Sequence, residues 1–150
     1  MKNTLHTSNS LNEPKDWKSY YSICEKIKSD LVSCSADLRF LRQLLDRYFN
    51  DIVKNEHLDE IRESLIRFQD LCYDTDHLKK RIKDQQSHLI DIIKGVSSYD
   101  QNAIITEQSD LENRIKILMK KLKTVKKELL FMAEQVEGDK KDNDSFVYQS

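Results

Sequence analysis

Breaks are what this sequence has least of. Two glycines and one proline in 150 residues leave little with which to end a helix or turn a hairpin. A sheet protein of this size needs many more turn residues, so the scarcity points to long helices. No charge sign dominates either. Basic and acidic side chains number 25 and 26, a net charge of −1, and no global field draws the chain to nucleic acid or membrane. No run approaches the ~18 apolar residues that a membrane span needs. The opening MKNTLHTSNSLNEP is polar throughout and does not read as a secretory leader. These absences predict one domain in the cytoplasm or nucleus.

Cysteine is scarce too, with three in the chain. Cys24 and Cys34, nine residues apart in CEKIKSDLVSC, have the spacing of half a disulfide-stapled helical hairpin. Along one helix, ten steps of 1.5 Å separate them by ~15 Å. A bridge needs Cα atoms within about 7 Å, so the two cannot join within that helix. The third, Cys72, leaves the set one short of a twin-hairpin framework. No CxxC or HxxxH spacing exists among the three cysteines and four histidines, so no metal site is expected. The cysteines read as reduced core residues.

What is present is periodicity. Trp17, Tyr20, Cys24, Ile27, Leu31, Cys34, Leu38, Leu41, Leu45, Tyr48 and Ile52 follow a 3-4 spacing without a miss. That is the seam of a coiled coil. Pro14 suits a first helical turn, with Asn12 or Glu13 as cap. A second set runs Leu58, Ile61, Leu65, Phe68, Leu71 or Cys72, Thr75, Leu78, Ile82, Gln85, Leu89, Ile92 and Val96, with a three-residue slip near Phe68. Carrying the first seam onward would put Asn55, Asp59 and Arg62 in it, so a tight turn capped by Asn55 is expected between Val53 and His57. The third set is Ile104, Gln108, Leu111, Ile115, Leu118, Leu122, Val125, Leu129, Met132 and Val136, starting from Asp100 or Asn102. Gly95 and Gly138 fall just past the second and third sets, where left-handed glycines end helices.

The expected fold is therefore all-α, an elongated antiparallel three-helix bundle or coiled coil with helices at about 14–53, 56–94 and 102–137. Residues 1–12 and 139–150 are expected to be flexible polar tails. Tyr21, Ile23, Phe40, Leu44, Phe49, Ile66, Ile117, Met119, Leu130 and Phe131 widen the apolar stripes beyond what two helices bury. A third helix or a partner must cover them. Trp17, Tyr20, Tyr21, Phe40, Leu44, Phe49, Leu130 and Phe131 are the candidate partner interface, although Trp17 better suits a plug at the bundle end.

Catalytic signatures are missing: no phosphate loop, nucleophile elbow or HExxH occurs. Acid pairs such as Asp59/Glu60 and Asp74/Asp76 read as solvated helix faces. No cofactor and no small-molecule substrate are expected. Between Arg114 and Lys127 lie seven positive charges and no acid, with Lys116, Lys120, Lys123 and Lys127 on one stripe. The stripe suits a nucleic-acid backbone or an acidic surface such as a microtubule, or it faces the acid-rich second helix or solvent. No aromatic interleaves the lysines as a stacking platform.

Asp16-Trp17, followed by Glu25 and Ile27, resembles the opening of the helical region in the cyclin-dependent kinase 2-interacting protein family. Cys24 stands where that family places its second tryptophan. The resemblance covers about thirty residues and implies a non-enzymatic helical subunit of a nuclear assembly. Composition and periodicity lead to a similar expectation: a non-enzymatic scaffold or adaptor that binds partner helices, or copies of itself, within a larger complex.

Overall fold

The computed structural model describes residues 15–54, 58–96 and 98–149. They form three α-helices: α1, Lys15–Val53; α2, Leu58–Ile93; and α3, Gln101–Gln149. No strand occurs among the described residues. The chain is an all-α three-helix bundle, as the periodicity predicts. The expected N-terminal tail at 1–12, the caps at Asn12 or Glu13 and the Asn55 cap lie outside the described residues.

The helices contribute to two compact units. One joins α1 up to Ser33 with Thr75–Ile117; the other joins Cys34–Asp74 with Leu118 onward. In the first unit Cys24, Ile27, Leu31, Leu78, Ile82, Leu89, Leu111 and Ile115 are buried. Gln85 bonds Ile104 and Gln108 while Arg81 reaches Glu107 and Asp110, so α2 and α3 run antiparallel there. In the second unit Leu38, Leu41, Leu45, Phe68, Leu71, Leu122, Val125 and Leu129 are buried. Lys126 pairs with Asp37, and Tyr48 donates to Glu137, so α1 and α3 run parallel in that unit. Each such aliphatic side chain contributes ~1.5–3 kcal/mol on full burial.

Three expectations are corrected. The seam of α2 has no slip: Ile61, Ser64, Phe68, Leu71, Thr75, Leu78, Ile82, Gln85 and Leu89 are all buried in unbroken 3-4 spacing. Ser64, not Leu65, holds the seam position, because its hydroxyl has a carboxylate to bond inside the packing. Val96 is exposed and lies beyond the helix. Gly138 does not end α3, which continues to Gln149 where a polar tail was expected. Glycine weakens a helix by about 1 kcal/mol relative to alanine without forbidding it, and Gly138 does not take the left-handed conformation.

Gly95 does end α2. Its φ is +73°, its N–H reaches the Ile92 carbonyl at 3.0 Å, and the Val96 N–H reaches Asp91 at 3.0 Å. These are the two bonds of a Schellman motif. Asp100 starts α3 by accepting the Asn102 N–H on its Oδ1 at 3.0 Å.

Candidate protein-interaction surface

The second unit contains a cleft between α2 and α3 that Ile52 near the end of α1 also lines. It begins with Ser64, which is only 2% exposed and puts a small side chain between Ile61 and Phe68 in the α2 seam. The Ser64 hydroxyl donates to Glu128 Oε2 at 2.8 Å, and Arg67 Nη2 donates to the same oxygen at 2.7 Å. Burial pushes the Glu128 carboxyl up, but Arg67 and Ser64 together outweigh it and hold the group below its ordinary value. Beside this knot opens a cavity of about 570 Å³. Ile52, Ile61, Met132 and Val136 supply its apolar walls, Glu60, Glu63, Arg67 and Gln135 its charged and polar border. Phe131 also lines it and remains 61% exposed. A further cavity of about 330 Å³ is lined by Leu71 and Val125 together with Asp70, Asp74, Lys120, Lys121 and Thr124. Arg67 lines both.

The first unit has a different character, a polar layer within its core. Gln85 Nε2 donates to the Ile104 carbonyl at 3.0 Å and to Gln108 Oε1 at 3.1 Å. Gln108 Nε2 donates to the Tyr20 carbonyl at 3.3 Å, and the Cys24 thiol donates to Gln108 Oε1 at 3.4 Å. Burial pushes the Cys24 thiol up to about 11. A thiol so strongly protonated is a packing group, not a nucleophile. Nearby, Arg81 bonds both Glu107 and Asp110, and Asp110 also accepts from Arg114 at 2.7 Å. Hydrogen bonds from Arg81 and Arg114 hold Asp110 below its ordinary value. Among the described residues, no group of three His, Cys, Asp or Glu side chains could hold a metal ion.

Set against protein-family models, curated proteins and solved structures, the chain finds no match.

The residues singled out from the sequence are dispersed. Trp17 is 3% exposed, with its ring edge-on to Tyr20 at 5.9 Å, so it occupies the core of the first unit. Tyr20 and Tyr21 are half-buried in the same unit. On α1 in the second unit, Phe40 and Phe49 are exposed while Leu44 is half-buried. Nine residues of helix put Phe40 and Phe49 on opposite sides of the α1 seam. Leu130 is half-buried, and of the eight aromatic and leucine candidates Phe131 is the one that lines the 570 Å³ cleft. Of the ten stripe-widening residues, Tyr21, Ile23, Leu44 and Leu130 are half-buried and the other six remain exposed.

Lys116, Lys120, Lys123 and Lys127 are all exposed on α3, and Lys120 borders the cavity that Asp70 and Asp74 of α2 also line. Lys126, beside the stripe, pairs with Asp37 at 3.6 Å. The cleft itself was hidden from a sequence reading, because Ile52, Ile61 and Val136 read as ordinary seam residues. The signal available was Ser64: counting back from Phe68 by four lands on it, and a serine at a seam position marks thin packing. No helix among the described residues is long and apolar enough to cross a membrane.

Proposed function

We propose that this chain is a non-catalytic adaptor that seats a helix of another protein in the α2–α3 cleft of its second unit, in the cytoplasm or nucleus. The observation that carries the reading is Phe131, left largely exposed beside apolar walls that its own bundle does not fill. A phenylalanine fully buried on docking supplies ~1.5–3 kcal/mol, and aromatic anchors beside pockets dominate interface energies. An amphipathic helix, with apolar side chains at i, i+3 or i+4, and i+7, presents anchors of the right kind. The likeness of the first helix to the cyclin-dependent kinase 2-interacting protein family adds support for a subunit role.

The test is comparative affinity purification with the full chain and its Phe131→Glu variant. Phe131 is exposed, so the variant should keep its helical circular dichroism and melting midpoint. Partners recovered stoichiometrically with the natural chain should drop at least about tenfold, the equivalent of 1.4 kcal/mol. Equal recovery by both, with the fold intact, sinks the reading.

A second reading, binding of an acidic polymer or surface, has its own support. Among the described residues no carboxylate pairs with Lys116, Lys120, Lys123 or Lys127.

A further inference from the structure

On α3 within the second unit, Lys120, Lys123 and Lys127 continue at the same 3-4 spacing into Leu130, and Phe131 lies next to it. All but the half-buried Leu130 are exposed. Eleven residues of helix make this row about 16 Å long, basic at one end and apolar at the other. Its charge is not consumed by neighbours. Lys126 is tied to Asp37, and Lys121 shares its cavity with Asp70 and Asp74, but Lys120, Lys123 and Lys127 have no ion pair among the described residues. Lys120 borders that same cavity without an ion pair to Asp70 or Asp74.

We infer that the helix received by this surface is acidic. It would place carboxylates at 3-4 spacing against Lys120, Lys123 and Lys127, and its apolar side chains against Leu130, Phe131 and the adjoining cleft. This rests on the adaptor reading above and adds the chemistry of the partner. Nucleic acid fits the row less well. Three lysines in one row neutralise about three phosphates, a hold that salt readily weakens. A phosphate backbone also leaves the apolar end unused. The helical repeat of the lysines matches the repeat at which another helix presents its own side chains.

The experiment measures binding of fluorescent peptides to the full chain by anisotropy. One 21-residue helical peptide carries leucines at its seam with flanking glutamates; a second carries lysines in place of the glutamates. A 20-base-pair DNA duplex and vesicles of 30% phosphatidylserine are measured alongside. The acidic peptide should bind at least about tenfold more tightly than the basic one and weaken with salt, as exposed pairs do. Lys120→Glu with Lys123→Glu should reverse the preference, while Lys79→Glu with Lys80→Glu on α2 should leave it alone. Two peptides binding equally well would overturn the charge inference and leave the adaptor reading standing. Neither peptide binding would count against both. Duplex or vesicles binding more tightly than the acidic peptide would reassign the lysine row to phosphate.

Discussion

At the residue scale, the side chains that decide most are the polar ones inside the packing. Gln108 accepts from both Cys24 and Gln85 and donates to the Tyr20 carbonyl, so one glutamine ties all three helices of the first unit. A leucine there would bury more apolar surface but would not distinguish one alignment of the helices from a shift by a turn. A polar layer does, since a shift leaves its buried groups unpaired at about 1–3 kcal/mol each. Cys24 belongs to this layer and reports on it. Its thiol, raised from an ordinary 9.0 to about 11, stays protonated in the fold where the unfolded chain releases the proton. The stability it contributes is therefore whole below pH 9 and is lost as pH rises toward 11. Urea titrations from pH 8 to 11 should show a steeper decline for the natural chain than for Cys24→Ala, whatever the variant's offset at pH 8. Parallel slopes would contradict the assignment. Maleimide labelling of the native chain should modify the half-buried Cys72 ahead of Cys24 and Cys34, both of which are buried.

At the scale of elements, the seams of α1 and α3 could be read from spacing except near residue 132, where Ala133 is buried and the expected Met132 only half-buried. The seam of α2 could not, because Ser64 is a poor seam residue until its bond to Glu128 is known. Burial of a small polar group depends on a partner some sixty positions away, and hydropathy along one helix does not contain that information. The two glycines show the same limit. Both follow an apolar set, but Gly95 is left-handed and Gly138 is not. Their alanine variants should move stability in opposite directions. Gly95→Ala meets no atom within 4 Å and is opposed by its φ of +73° alone, costing about 1–2 kcal/mol. Gly138→Ala, equally unobstructed, should gain about 0.5–1 kcal/mol as a better helix former. Urea unfolding followed by circular dichroism distinguishes the two. A loss at Gly138→Ala would show that α3 does not run through that position.

At the scale of the whole molecule, composition excluded more than it identified. The charge balance of −1 says nothing about the seven cations concentrated on α3. The excess of apolar residues was apparent in the sequence; which of them the third helix would cover was not. Of ten such residues four are half-buried and six stay exposed, because coverage depends on how the helices are rotated against one another. The cleft beside Phe131 is lined by residues of all three helices, Ser64 among them. The most direct measurement is photo-cross-linking in cells, with benzoylphenylalanine placed at position 131 or, for comparison, at Val32, which is 66% exposed on α1. The account predicts a strong cross-link from position 131 to an acidic helical segment of another protein, and little from position 32. If position 131 captures other chains no more than position 32 does, this cleft is not where the protein meets its partner.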